Sequence, residues 1–465
     1  MASTEPKGND AIASNSPETA SNKKSSKDDF APEVVDHPPP SFANDDGVEI
    51  NYRTLKWWQA GMVMIAETIS LGILSLPAVV ANLGLVPGII LIFVMGVLST
   101  YSGYVLGEFR RQYPWVQSFG DAGEVLGRPF GMGRFCQEFL GWAQTIFVIF
   151  VMGSHLLTWT ICLNTLTDSS TCTIVWAFVG LAVFWVLNVP RTLKYASYMS
   201  FFSFFSIFTA VLVTMIDVGI EKPIGTTSIE ISRHVGFTSA FLSVTNIAVA
   251  FSGHSCFFSI ISEFKEPNEW PKALAMLQIC DTTIYMIASV VIYIYVGPDV
   301  PAPALTAADS IKVRKAIWGI AIPTIVIAGV IYGHVAAKYI FVRAFGGTKH
   351  IVKRTLIGTL GWIVITGVVW VIALVIAESI PVFSSLLGLV CALFASWFSY
   401  GLPGIFWMFM NRGEWFKDGK MIAKFGANAV LILTGLLLCA LGLWSSAEAI
   451  HTEAATSAWS CKSNA

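Results

Sequence analysis

Ser70-Leu71-Gly72-Ile73-Leu74-Ser75-Leu76-Pro77 lies in the middle of the first long apolar stretch of this chain, and Phe251-Ser252-Gly253-His254 in the middle of the sixth. A helix in lipid must hydrogen-bond its whole backbone to itself, because hydrocarbon offers no partners. Glycine and proline inside a span therefore point to backbone freed where protein or a water-filled cavity can satisfy it. Two such interruptions, five spans apart, suggest two repeats that each open with a broken helix. That pattern is expected of a secondary transporter whose substrate sits near the bilayer midplane.

The surrounding composition fits a membrane setting. Of 465 residues, 54% are hydrophobic and 13% charged, with a mean hydropathy of +0.65. A soluble domain carries about 25% charged residues. Eleven apolar segments, from about 57–83 to about 424–447, each approach the ~20 residues that a bilayer requires. The expectation is an all-α integral membrane protein. Residues 1–52 are rich in Ser, Asn, Asp, Lys and Pro and contain no apolar run. They are expected to be a disordered cytoplasmic tail, and no cleavable signal peptide is expected. Residues 53–450 then form the membrane domain, and 451–465 a short extracytoplasmic tail.

The charges fix the orientation. With the N-terminal side cytoplasmic, all but six of the 29 Lys and Arg fall on the cytoplasmic side; the exceptions are Lys222, Arg233, Lys312, Arg314, Lys315 and Lys462. Positive residues are retained inside, so the N-terminus is expected inside and, after eleven spans, the C-terminus outside. The basic residues lie in short loops and offer no surface for nucleic acid. Eight cysteines are scattered with no C-x-x-C pair, so no metal site or redox motif is expected. Cys162, Cys172 and Cys461 fall near one membrane face. Free thiols are expected there, with a disulfide as the alternative.

If span 1 unwinds through Ser70–Gly72, the end of its first half exposes carbonyls, which favour an ammonium group. The start of its second half exposes N–H groups, which favour a carboxylate. The break in span 6 would add free carbonyls at Ala250, Phe251 and Ser252. Together these make a seat for a zwitterion built almost wholly of backbone, and an α-amino acid fits it. The alternative is that Gly72 and Gly253 only allow close helix packing.

Gly72-Ile73-Leu74-Ser75-Leu76-Pro77, Phe251-Ser252-Gly253-His254 and Glu263-Phe264-Lys265-Glu266-Pro267 resemble the amino acid/auxin permease family, within the amino acid–polyamine–organocation superfamily. Arg191-Thr192-Leu193-Lys194-Tyr195 and Ala336-Ala337-Lys338-Tyr339 look most like fungal neutral amino acid permeases. The resemblance covers about residues 50–450. It implies eleven transmembrane helices arranged as a five-plus-five inverted repeat with helices 1 and 6 broken, plus one extra helix. It also implies proton- or sodium-coupled amino acid uptake. Carried over by position, Ser70, Leu71, Gly72 and Ile73 would face the substrate carboxylate. Phe251, Ser252 and Gly253 would face its ammonium group and side chain.

An ionisable group at the centre of a span costs roughly 2.5–3.5 kcal/mol on insertion scales, so each one needs a reason. Glu67 precedes the first break by one turn and His254 sits in the second. These two are the candidates for proton coupling. His155, Asp281 and His334 are read as structural. After Thr324 the centre of span 8 has no Ser or Thr, whereas a hard cation wants several oxygen ligands. Protons are therefore favoured over sodium. Phe251, the surroundings of Phe147 and Ala328-Gly329 would line an apolar pocket for neutral, fairly large side chains. No cofactor is expected, and no nucleophile–base pair or metal motif argues for an enzyme. An uncoupled facilitator and an amino-acid sensor on the same fold are the rival readings. The plasma membrane is the default location, with the vacuolar membrane as the alternative.

Overall fold

The computed structural model describes residues 55–191, 196–221, 229–353, 355–453 and 458–464. The tail expected over 1–52 lies outside the described residues. Eleven helices carry the fold: α1 Trp57–Leu83, α2 Leu85–Gln112, α3 Gly133–Leu166, α4 Thr173–Asn188, α5 Ala196–Glu221, α6 Phe237–Ser262, α7 Trp270–Val296, α8 Ile311–Phe345, α9 Leu356–Ser379, α10 Phe383–Met410 and α11 Gly419–Glu453. Ten are long and apolar enough to cross a bilayer. The eleventh, α4, has 16 residues, a rise of about 24 Å. Among the described residues the only β-pairing is an isolated parallel bridge between Leu55 and Phe264.

The contacts repeat with a shift of five helices. α1 packs on α7 and α6 on α2; α1 packs on α5 and α6 on α10. α3 packs on α4 and α8 on α9; α8 packs on α5 and α3 on α10. Five is an odd number of crossings, so the second set enters the membrane from the opposite face. The repeat is therefore inverted. α11 stands outside it and leans on α10 and α6.

Burial sorts the helices into two layers. In α1, α3, α6, α8 and α10, 67–89% of the apolar stretch is buried, against 28–44% in α2, α5, α7, α9 and α11. The outer helices present large apolar side chains outward, such as Ile90, Phe93 and Val97 on α2 and Leu360, Val364 and Val368 on α9. Such a surface is stable only against lipid.

Two expectations are corrected here. α1 is wound without interruption from Trp57 to Leu83, so the break expected at Ser70–Gly72 is not found. Hydroxyls on either side of it turn back on the same helix. Thr68 Oγ1 donates to the Met64 carbonyl at 2.7 Å and Ser75 Oγ to the Gly72 carbonyl at 3.0 Å. Pro77, which has no N–H, frees only the Ile73 carbonyl four residues earlier. α6, by contrast, is broken as expected: its first half ends at Ala250, Gly253–Cys256 is a 3₁₀ turn, and the second half runs from Phe257 to Ser262.

The second correction concerns the thiols. Cys172 and Cys461 form a disulfide, while Cys162 is free and buried. The C-terminal residues dock beside it. Thr173 Oγ1 donates to the Lys462 carbonyl at 2.7 Å, and Asn464 Nδ2 donates to Thr160 Oγ1 at 2.9 Å. Cys172 follows three helices and Cys461 follows eleven. The two lie on one face only if an even number of crossings separates them, which the eleven-helix count provides.

Candidate functional site

α1 and α6 cross at the centre of the molecule, and the crossing is set by two glycines. A Cβ at Gly72 would stand 2.7 Å from Tyr285 Oη and 2.9 Å from Ala250 Cα. A Cβ at Gly253 would stand 2.8 Å from Thr68 Oγ1. Close helix approach is therefore one reason for both residues. Beside the crossing lies a cavity of about 40 Å³ lined by α1, α3, α6, α8 and α10. Ligand pockets begin near 300 Å³, so this space has room for a few waters only.

The carbonyls of the α6 break are occupied by side chains. Tyr400 Oη donates to the Ala248 carbonyl at 3.1 Å, and Ser99 Oγ donates to the Phe251 carbonyl at 3.0 Å. Tyr285 Oη lies 2.9 Å from the Ala250 carbonyl and 3.0 Å from the Thr68 carbonyl of α1, and shares its proton between them. Ser252 Oγ turns back to the Val249 carbonyl at 2.7 Å. The free acceptors expected at Ala250 and Phe251 are thus already paired. The physical reason is burial: an unmet carbonyl in this core would cost about 1–3 kcal/mol.

Of the residues singled out from the sequence, Glu67, Leu71, Gly72, Ser252 and Gly253 line the cavity, as does Phe147. Ser70, Ile73, Phe251 and His254 are buried but not among its walls. The Phe251 ring packs edge-on against Tyr285, centroids 5.2 Å apart. His254 is turned to α2, with Nε2 2.8 Å from Ser102 Oγ and 3.1 Å from the Ser99 carbonyl. Ala328 and Gly329 face elsewhere; a Cβ at Gly329 would meet Phe184 and the His155 Cβ.

Glu67 is the sole carboxylate among the lining residues, and none of them is Lys or Arg. Its side chain is buried and hydrogen-bonded to the Tyr332 hydroxyl and the Cys256 thiol. Its second oxygen, Oε1, has no partner. A buried acceptor left open in this way is a place for a proton or a cation. Among the described residues no group of three metal-ligating side chains comes together.

The match that decides the family spans the whole membrane region: the profile described as transmembrane amino acid transporter protein covers residues 53–448. The chain belongs to the transmembrane amino acid transporter family. The transporter is 31% identical over 408 residues to the N amino acid transport system protein of Neurospora crassa, covering 86% of each chain. It is 27% identical over 435 residues to a transmembrane transporter of Gibberella moniliformis, covering 90% of each. In fold it is similar to the crystal structure of MhsT in complex with L-phenylalanine, with a TM-score of 0.51 at 14% identity over 88% of this chain and 100% of that one. It is similar also to Mhp1, a nucleobase-cation-symport-1 family transporter, in a closed conformation with bromovinylhydantoin bound (TM-score 0.50, 12% identity, 88% and 96% covered). At such identities the likeness speaks for the fold, the inverted repeat that the transporter's own contacts display.

Two wall residues of the transporter escape a sequence reading. Tyr332 of α8 lies in a mostly apolar run where a tyrosine reads as core. His155 of α3 reads as a structural histidine, yet it lines the cavity, and its ring nitrogens make no close hydrogen bond, with the Ile325 backbone of α8 as their polar neighbour. The signal for both is polarity inside an inner helix, which only the packing resolves into a shared wall.

Proposed function

We propose that the protein is a secondary transporter that carries neutral, aliphatic and aromatic L-amino acids into the cytosol together with a proton, across the plasma membrane. Family membership supports amino acids as substrates. The observation that carries coupling is Glu67: a buried carboxyl that lines the central cavity at the α1–α6 crossing, with one oxygen unpaired. In this reading Glu67 takes the proton, while Leu71, Gly72, Ser252 and Gly253 form the seat of the substrate. Ser70, Ile73 and Phe251 shape that seat from behind. His254 serves by holding the break against α2.

The charge balance of the walls supports neutral substrates. A second ammonium or guanidinium on the substrate would find no further carboxylate, and a second carboxylate would find no cation, so either would be buried unpaired. Protons are supported over sodium by the hydroxyls of the α5–α8 contact. Ser203 and Thr324 are hydrogen-bonded to each other at 3.2 Å, and the Thr324 hydroxyl donates to the Ser203 carbonyl. They are spent on each other rather than arranged around a cation.

Uptake of labelled leucine in cells that lack their own permeases tests the reading. It is expected to rise as external pH falls, to collapse with a protonophore and to ignore replacement of sodium. Phenylalanine should compete, and arginine and glutamate should not. Uptake that stops on sodium replacement alone overturns proton coupling; uptake indifferent to both ions makes the protein an uncoupled facilitator. Fractionation that finds the protein in vacuolar membranes would move it there.

A further inference from the structure

The helices fall into two groups by packing. α1, α2, α6 and α7 pack on one another, and α3, α4, α8 and α9 on one another. Glu67 belongs to the first group. His155 and Tyr332 belong to the second. All three line one cavity at the seam between the groups. Glu67 Oε1 is buried without a hydrogen-bond partner, and the ring nitrogens of His155 are buried with no close one, only the Ile325 backbone standing beside them. Tyr332 joins them: its hydroxyl is bonded to Glu67, and its ring lies tilted against the His155 imidazole, centroids 5.7 Å apart. Unmet buried polar groups that share a cavity large enough for water are a built site for water or for a proton on it.

We propose that Glu67 and His155 form a single proton-holding site across this seam, bridged by cavity water and kept in register by Tyr332. The inference rests on proton coupling as read above and extends it to a residue on the opposite helix group. A proton leaving the Glu67 carboxyl goes to the water, which gives one of its own to a His155 nitrogen. Glu67 ends as a carboxylate, His155 as an imidazolium, and the water is unchanged. Any relative movement of the two groups alters the separation of Glu67 from His155. The resting place of the proton and the arrangement of the helices are thereby linked. Tyr332 is a positioning residue in this scheme.

The groups that face His155 are few. α8 presents the Tyr332 ring and the Ile325 backbone, Glu67 of α1 shares the cavity with His155, and Cys256 of α6 is bonded to Glu67. Tyr285 and, beyond it, Asp281 of α7 stand further along the same cluster. α4 and α10 present apolar side chains there, Phe184 and the pair Leu387 and Val390. No fixed positive charge is among these.

The test uses the full-length protein in vesicles holding a pH dye, with labelled leucine outside, and reads protons moved per leucine. Wild type should move protons with leucine. His155→Gln should lose the proton movement per leucine carried, because glutamine fills the space but accepts no proton. Tyr332→Phe should shift the pH profile of leucine uptake. A wild-type ratio in His155→Gln overturns the proposal while leaving proton coupling intact. Leucine uptake without protons in wild type overturns the coupling reading and this inference with it. If His155→Gln carries no leucine, Tyr332→Phe decides: an unchanged pH profile, or no transport, returns the pair to a structural role.

Discussion

Glycine at 72 is required by distance rather than by backbone conformation. The nearest atoms to its missing Cβ include Ala250 Cα at 2.9 Å, and backbone cannot rotate away. Gly72→Ala should force α1 and α6 apart, at a cost of about 1–3 kcal/mol for overpacking, and leucine uptake should fall severely. Gly319 of α8 is the matched control, because nothing lies within 4 Å of its added Cβ. Gly319→Ala should leave uptake unchanged and raise thermal stability in detergent by about 0.5–1 kcal/mol, since alanine loses less entropy in a helix. Equal damage from both substitutions would mean that the crossing is not the sensitive contact. Glu67→Gln keeps the shape of the wall and removes the titrating group. It should abolish accumulation of leucine against a gradient; accumulation at the wild-type level would make Glu67 structural.

At the scale of elements, the break in α6 is held by hydroxyls from three neighbours: Ser99 of α2, Tyr285 of α7 and Tyr400 of α10. Removing one leaves a carbonyl buried and unmet. Tyr400→Phe and Tyr285→Phe should each lower the unfolding midpoint in detergent, by about 1–3 kcal/mol in free energy. Tyr285→Phe should have the larger effect, because its hydroxyl serves carbonyls on both α1 and α6. An unchanged midpoint in both variants would show that water replaces the tyrosines. The same contacts explain what a reader of the sequence can and cannot see. Ser252-Gly253-His254 announces the α6 break because glycine and small polar residues weaken a helix. The similar Ser70-Leu71-Gly72 does not unwind: α1 is continuous there, with Gly72 packed closely against Ala250 and Tyr285. The walls of the cavity are harder still. α1 is buried on nearly every side, so no polar face betrays which residues turn inward. Tyr332 and His155 meet Glu67 only through the packing of three helices distant in sequence.

For the whole molecule, the apolar runs made the span count legible, whereas the pairing of thiols was not, because nothing local in a sequence records which ends meet. The Cys172–Cys461 bond and the docking of Trp459 backbone N–H on the Glu378 carbonyl at 3.2 Å place the C-terminal residues on the face of the α3–α4 and α9–α10 connections. If the N-terminus is inside, as the distribution of Lys and Arg leads us to expect, that face is external, the oxidising side on which disulfides persist. A membrane-impermeant maleimide should therefore label intact cells far more strongly after an impermeant reductant, and Cys172→Ser with Cys461→Ser should remove the gain. Labelling that needs permeabilised cells would reverse the orientation. The bond also makes a closed circuit of the chain: 289 residues separate its two ends, and α4 through α11 lie between them. A protease that nicks any one loop within that circuit opens a ring without detaching a piece. The cut protein should run as one band on a gel until it is reduced, then as two.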